Sequence, residues 1–175
     1  MDDFQAGLQF VLAREGGFVD DPADHGGATN RGITQKTYDV YRKNRALPLQ
    51  SVRFISTPEI NDIYRGGYWI PCRCDDLPTD TAIATFDCCV NCGPHQAGVQ
   101  LQRALRIPAD GIIGSHTVAE AVAAEDRGGV CADLFEERRA YYRYLVAKDP
   151  TQKRFLQGWL NRVDELAEYL DNLQA

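Results

Sequence analysis

No apolar run in this 175-residue sequence approaches the roughly 20 residues that a membrane-spanning helix needs. The first residues, Met1-Asp2-Asp3, lack the basic start of a secretory signal peptide. We therefore expect synthesis in the cytoplasm without a signal peptide, with any export dependent on another factor.

Basic charge is also scarce. The formal net charge is -6 at pH 7 and the isoelectric point is about 5.0. Binding to nucleic-acid phosphates requires clustered lysine and arginine. Here the basic residues are scattered among acids, as in Glu136-Glu137-Arg138-Arg139. The composition therefore argues against a nucleic-acid partner.

Histidines and several common catalytic motifs are missing as well. The three histidines, His25, His95 and His116, are far apart and form no His-Glu-x-x-His pair, so a zinc peptidase is poorly supported. No Gly-x-Ser-x-Gly elbow and no phosphate-binding glycine loop occurs. We expect no cofactor and no catalytic metal.

Apolar residues recur at helical spacing along most of the chain, between glycine, proline and threonine boundary signals. Two short extended pieces, 17–19 and 32–34, form at most a small hairpin. We predict a mainly α fold, a single compact domain with a small hairpin or irregular lobe near residues 17–34. Helices are predicted over residues 3–15, 34–43, 57–66, 80–92, 95–106, 115–126, 130–148 and 152–173.

The stretch AREGGFVDDPADHGGATNRGIT, residues 13–34, is the densest cluster of glycines and acids. Glu15 follows Val11 by four positions and Leu8 by seven, so it extends the apolar stripe of the first predicted helix. This stripe and the negative end of the helix dipole both favour the protonated carboxyl, which suits a general acid. The alternative interpretation is an ordinary surface glutamate before a turn-rich loop.

Five of the six cysteines lie within 21 residues: Cys72, Cys74, Cys88, Cys89 and Cys92. Disulfides, buried free thiols and a zinc site are all open interpretations of this cluster. The spacing does not match the usual paired Cys-x-x-Cys zinc pattern.

Motifs along nearly the whole chain resemble the glycoside hydrolase family 108 muramidases, which are common among phage endolysins. Glu15-Gly16-Gly17-Phe18 and the ungapped Asp21-Pro22-x-Asp24-x-Gly26-Gly27-x-Thr29-x-x-Gly32-Ile33-Thr34 are similar to the family signature. The middle segment, with Tyr68-Trp69 and Phe86-Asp87-x-x-Val90-Asn91-x-Gly93, resembles the family too. Asp110-Gly111-x-x-Gly114-x-x-Thr117 and Phe155-x-x-Gly158-Trp159 resemble its peptidoglycan-binding region.

The resemblance implies a lysozyme-like fold that cleaves the β-1,4 bond between N-acetylmuramic acid and N-acetylglucosamine. Residues 1–92 would be the catalytic region, and residues 93–175 a helical peptidoglycan-binding region packed on the same core. Glu15 matches the catalytic acid of the family. Asp24 or Thr29 would position water, and Thr34 would line the site.

The resemblance also implies substrate-binding residues in the middle segment. Tyr68 and Trp69 would stack on sugar rings, while Asp87 and Asn91 would hydrogen-bond acetamido groups. The alternatives are that the aromatic pair belongs to the core and that Asp87 and Asn91 tie a buried helix to neighbouring backbone.

Peptidoglycan glycan strands are therefore the expected substrate, for a monomer that acts in the periplasm and crosses the membrane with a holin or another export helper. An oxidising periplasm would favour a disulfide from Cys72 or Cys74 to the 88–92 group. Two other functions stay open: a lytic transglycosylase using the same glutamate, and a non-catalytic wall-binding or secretion-assisting module.

Overall fold

The computed structural model describes residues 2–20 and 27–174, and most of these residues are helical. The predicted mainly α fold is confirmed, and each predicted helix is present with its ends moved by a few residues. None of the helices in the described ranges is long and apolar enough to cross a membrane. The α-helices are α1 Asp3–Leu12, α2 Gln35–Asn44, α3 Thr57–Tyr64, α4 Thr79–Cys92, α5 Pro94–Ala104, α6 Ser115–Ala123, α7 Arg127–Lys148 and α8 Lys153–Gln174.

The described residues divide into two compact units. We call the part within residues 8–67 the hairpin unit, and residues 2–7 with 68–174 the helical unit. The division into regions 1–92 and 93–175 stays a prediction.

The hairpin unit contains two short antiparallel strands, β1 Thr29–Asn30 and β2 Ile33–Thr34. The two residues between them, Arg31 and Gly32, have φ of 50° and 75°. Positive φ at both central residues is the backbone of the type I′ turn, whose twist suits a two-residue hairpin. The expected pairing of segments 17–19 and 32–34 is wrong, because Thr29 pairs with Thr34 and Val19 forms an isolated bridge to Thr29.

Helices α2 and α3 of the hairpin unit are joined by a polar cluster around Glu59. Tyr38 donates a hydrogen bond to the Glu59 carboxylate at 2.9 Å, and Arg42 pairs with it at 2.6 Å. The same carboxylate accepts from the Ser56 backbone N–H at 2.9 Å, which completes a capping box at the start of α3. Thr34 caps α2 by accepting from the Thr37 N–H at 3.1 Å, as its position in the sequence predicts.

Helix α4 forms the centre of the helical unit. Nine consecutive residues, 81–89, are buried on all faces of the helix. A helix that is buried all round must be surrounded by other elements, and α4 packs against α5 and α7 while α7 packs against α8. Val163 and Leu166 supply the fully buried part of the α8 apolar stripe, whereas Phe155 and Leu173 at its two ends are exposed.

Gln102 on α5 organises the loop before α6. Its amide nitrogen donates to Asp110 at 2.7 Å and to the Thr117 hydroxyl at 3.2 Å, and its amide oxygen accepts from the Gly111 N–H at 2.8 Å. Gly111 has φ of 78°, a conformation that glycine adopts without strain. The Asp-Gly-x-x-Gly-x-x-Thr motif is therefore, in this structure, a loop anchored on one buried glutamine.

Candidate active site

Glu15 lies beyond the end of α1, which corrects the expected helix over residues 3–15. The helix ends at Leu12, and the Arg14 N–H turns back to the Val11 carbonyl at 3.0 Å. The Arg14 guanidinium lies 3.5 Å from the Phe10 ring centroid and donates to the Phe10 carbonyl at 3.0 Å. This side chain satisfies one of the carbonyls that the end of the helix leaves without a backbone partner. Glu15 is half-buried there.

The Glu15 carboxylate packs against the turn of the hairpin. A Cβ added at Gly32 would lie 2.7 Å from Glu15 Oε2 and 2.6 Å from the Tyr64 hydroxyl oxygen. The Tyr64 hydroxyl donates to the Arg31 carbonyl at 2.9 Å, and the Arg31 N–H donates to the Gly16 carbonyl at 3.0 Å. Two hydrogen bonds therefore fix the turn beside the acid, and glycine leaves the space that the carboxylate fills.

Thr29 and Thr34 are brought together by the hairpin. They are direct partners in the antiparallel pair, so their side chains lie on one face, with Cβ atoms about 4.5–5.5 Å apart. Both residues are half-buried. Asp24, the other residue predicted to position water, lies outside the described residues.

Tyr68 and Trp69, adjacent in the sequence, differ sharply in exposure. Tyr68 is half-buried. Trp69 is only 1% exposed, with T-shaped contacts to Phe4 at 5.4 Å and Phe86 at 5.3 Å, and its indole N–H donates to Asp75 at 2.7 Å. The prediction that Trp69 stacks on a sugar is therefore wrong, since its ring faces are covered by the core.

Asp87 is also buried, at 1% exposure, and pairs with two arginines. Arg138 Nη1 and Arg162 Nη2 each lie 2.7 Å from one of its oxygens. Burial acts to raise the pKa of Asp87, but the two guanidinium groups outweigh it and hold the pKa below its usual value. The predicted hydrogen bond from Asp87 to an acetamido group is contradicted, because its carboxylate is committed to the core of the helical unit.

Asn91, the partner of Asp87 in the sequence prediction, is exposed on α4. Its amide donates to the Asp87 carbonyl at 2.8 Å, one helical turn back. This bond stays within α4, so it does not tie the helix to a neighbouring element. Because Asn91 is exposed, a role in binding stays a prediction.

All six cysteines are free thiols. Cys72, Cys74, Cys88 and Cys89 are buried, while Cys92 is half-buried. Among the described residues, no group of three or more histidine, cysteine or acidic side chains is arranged to hold a metal ion. The zinc interpretation of the cluster therefore has no ligand set in this part of the chain.

Gly32 and Tyr64 are the residues of this site that the sequence reasoning missed. Gly32 was visible only as part of the glycine-rich motif, and its close approach to Glu15 depends on folding the chain back. Tyr64 comes 32 positions after Gly32, at the end of α3, and no local pattern marks it.

Comparison with known proteins bears directly on this site. Residues 8–93 match the family model of glycosyl hydrolase 108, and residues 96–164 match the family model described as "Predicted Peptidoglycan domain". The solved structure of Brucella abortus SagA is similar as well, with a TM-score of 0.75 and 31% sequence identity over 96% of this chain and 94% of the SagA chain. The chain belongs to the glycosyl hydrolase 108 family.

Family membership confirms the lysozyme-like fold class that the sequence motifs imply. It also makes the chain a glycoside hydrolase that acts on peptidoglycan, and the match over residues 96–164 supports peptidoglycan as its partner. A search of curated proteins found no match.

Proposed function

We propose that this glycosyl hydrolase 108 protein is an N-acetylmuramidase, a lysozyme that hydrolyses the β-1,4 bond between N-acetylmuramic acid and N-acetylglucosamine. Glu15 is its general acid. The observation that carries this proposal is the packing of the half-buried Glu15 carboxylate against the Gly32 turn, inside the region that matches the family model.

Glycosidic bond cleavage requires a carboxyl group that protonates the leaving oxygen and a second group that handles water or positive charge on the other side of the sugar. In the proposed reaction, Glu15 donates the proton. Thr29 or Asp24 positions the water. The pairing of Thr29 with Thr34 on one face of the hairpin supports Thr29 in this role. Thr34 lines the site beside it.

Substrate contacts outside the hairpin unit are assigned to exposed and half-buried positions. Tyr68 is half-buried and can offer a ring to a sugar face. Asn91 is exposed and can offer its amide to a substrate acetamido group. Trp69 and Asp87 are omitted from this assignment, because both are only 1% exposed.

We further propose that the protein acts as a monomer on peptidoglycan in the periplasm, and that a holin or another export helper gives it access to the wall. Peptidoglycan lies outside the inner membrane, so an enzyme made in the cytoplasm must cross that membrane. Fractionation of lysing cells, with and without a coexpressed holin, tests this route.

The catalytic assignment is tested with Glu15→Gln, which keeps the size of the side chain and removes its acid. We expect the rate of glycan cleavage in purified sacculi to fall by roughly 100- to 10,000-fold. Circular dichroism should show an unchanged fold, and sedimentation with sacculi should show unchanged binding. Asp62→Asn, at an exposed acid of the same unit, is the matched control. A Glu15→Gln protein that cleaves at the wild-type rate would overturn the assignment.

Mass spectrometry of the released muropeptides tests the bond and the reaction. A muramidase produces reducing-end muramic acid that has gained water. Anhydro-muramic acid would instead identify a lytic transglycosylase and overturn hydrolysis. Reducing-end glucosamine would overturn the choice of bond. Sedimentation with sacculi without any release of muropeptides would identify a wall-binding module and overturn catalysis.

A further inference from the structure

Two buried cysteines from separate elements, Cys72 and Cys89, contact the same backbone carbonyl. Cys72 lies in the turn after the π-helical segment Arg65–Trp69, and Cys89 lies on α4, 17 positions later. The Cys72 N–H donates to the Tyr68 carbonyl at 3.3 Å, and the Cys89 thiol donates to the same oxygen at 3.6 Å. The backbone of Cys72 and the thiol of Cys89 therefore contact one carbonyl oxygen, which places the two residues next to each other.

Three of the other four thiols contact different partners. Cys88 donates to the Gln100 amide oxygen at 2.9 Å, and Cys92 contacts the Tyr142 hydroxyl at 3.7 Å. Cys131 contacts the Thr81 hydroxyl at 3.9 Å. Cys74 is 1% exposed and follows Cys72 by two positions.

Cys88 and Cys92 are also neighbours, but they are one turn apart on a single helix. At that spacing Cβ atoms are about 5–6 Å apart. A disulfide needs a Cβ separation of about 3.5–4.5 Å, so this pair would have to distort α4 to bond. Cys72 and Cys89 lie on different elements and carry no such restriction.

We propose that Cys72 and Cys89 are a disulfide-forming pair, which closes on oxidation and fastens the segment after Tyr68 to α4. This goes beyond the proposed function, since none of the residues assigned to glycan cleavage or substrate binding is a cysteine. It also selects one pair from the disulfide pairings that the five clustered cysteines allow.

The reaction is thiol–disulfide exchange with a small-molecule or protein disulfide as oxidant. One cysteine thiolate attacks the oxidant and releases its first sulfur as a thiol, and the second cysteine then attacks the mixed disulfide and releases the other sulfur. The two cysteines are oxidised by two electrons in total, the oxidant is reduced by two, and the two thiol protons end on the two released thiols.

The burial of Cys72 and Cys89 determines at which stage the disulfide can form. Cys72 and Cys89 are both 0% exposed, and contact with Cys72, together with burial, raises the pKa of the Cys89 thiol. Because the thiolate is the nucleophile, the folded reduced protein should oxidise slowly. Oxidation should be fast while the chain folds or when this segment opens. An envelope compartment supplies disulfide oxidants, whereas the cytoplasm keeps thiols reduced.

The bond is tested by refolding the full-length protein in a glutathione redox buffer and in dithiothreitol. We expect the oxidised protein to be two hydrogen atoms lighter, with two fewer titratable thiols. Its thermal midpoint should rise by roughly 5–10 °C, because the bond restricts the unfolded chain.

Peptide mapping identifies the partners without any variant. Cleavage after Arg65 and Arg73 gives the peptide 66–73, GGYWIPCR, which contains Cys72 alone. The next tryptic peptide, 74–103, contains Cys74, Cys88, Cys89 and Cys92. The proposal requires these two peptides to be linked in the oxidised protein and separate after reduction.

Serine variants then assign the second partner. Cys89→Ser and Cys72→Ser should lose the mass change and the rise in the thermal midpoint, while Cys88→Ser and Cys74→Ser, the matched controls, should keep both. Three results would overturn the proposal. The protein refolded in the glutathione buffer could keep all six thiols free, the disulfide could survive Cys89→Ser, or the disulfide could form only between separate molecules.

Discussion

Gly32 leaves the space that the Glu15 carboxylate occupies. A Cβ at Gly32 would approach Glu15 Oε2 to 2.7 Å and the Tyr64 hydroxyl oxygen to 2.6 Å. Real Cβ atoms essentially never show contacts this short, so a side chain here would displace both groups. The position of the proposed acid therefore depends on a turn residue that follows it by 17 positions.

Gly32→Ala should lower the glycan-cleavage rate by roughly 10- to 100-fold, because a displacement of about 1 Å at a catalytic group has effects of that size. It should also cost about 1–2 kcal/mol of unfolding free energy from the positive φ alone. Turbidity loss of sacculi suspensions and urea denaturation measure the two effects.

Gly27→Ala is the matched control, since Gly27 has nearly the same φ, 73° against 75°. An added Cβ there meets no described atom within 4 Å. The control should therefore lose stability while keeping its cleavage rate per folded molecule. Equal loss of rate in the two variants would show that backbone strain, and not the contact with Glu15, controls activity.

Most of the helical fold could be predicted from local sequence. Apolar spacing and boundary residues located all eight helices in the described ranges, and Thr34 marks the start of α2. The end of α1 could not be predicted in the same way. Two glycines after Glu15 look like a helix stop, yet the helix ends at Leu12, where the Arg14 side chain donates to the Phe10 carbonyl.

The candidate site was only partly predictable, because long-range partners decide which polar residues reach the surface. Asp87 is separated from Arg138 by 51 positions and from Arg162 by 75, so its buried ion pairs leave no local signal. The sequence left open whether Trp69 stacks on sugar or belongs to the core, and the contacts of its ring with Phe4 and Phe86 decide for the core. The motif resemblance pointed to both residues but did not show whether their side chains lie in the core or at the surface.

Tyr68 and Trp69 should respond to substitution in opposite ways. Trp69→Ala should lower the unfolding free energy by about 3–5 kcal/mol, because it removes a fully buried aromatic side chain. Tyr68→Ala should mainly raise the KM for sacculi, since its half-buried ring is the one assigned to sugar. Denaturation curves and initial cleavage rates separate the two effects. A Tyr68→Ala protein with unchanged KM would remove Tyr68 from the binding site.

Two parallel ion pairs between α2 and α3 provide an internal comparison. Arg42 and Glu59 pair at 2.6 Å with side chains 11% and 13% exposed, whereas Arg45 and Asp62 pair at 3.1 Å with side chains 47% and 50% exposed. Glu59→Gln should cost about 1.5–3 kcal/mol, because it weakens charge-assisted hydrogen bonds that are shielded from water. Asp62→Asn should cost at most about 1 kcal/mol. Urea denaturation of both variants checks the order, and equal costs would contradict it.

The two ion pairs of Asp87 should make it one of the most sensitive positions of the helical unit. Asp87→Asn leaves Arg138 buried without its counter-charge, so the unfolding free energy should fall by about 3–5 kcal/mol. The exposed pair of Arg73 and Asp76, at 2.8 Å, supplies the control. Asp76→Asn should cost at most about 1 kcal/mol. A loss at Asp87 no larger than the loss at Asp76 would mean that the buried pairs add nothing to stability.

The contribution of Asp87 should also depend on pH in a defined direction. The arginines hold the pKa of Asp87 below its usual value in the folded protein, while the unfolded chain has the ordinary value of about 3.9. The stabilisation is therefore complete above about pH 5 and is lost as the pH falls below about 4, toward the lowered pKa. The difference in unfolding free energy between wild type and Asp87→Asn, measured by urea denaturation, should be constant from about pH 5 to 7 and shrink on acidification. A difference that grows on acidification would contradict the ion-pair assignment.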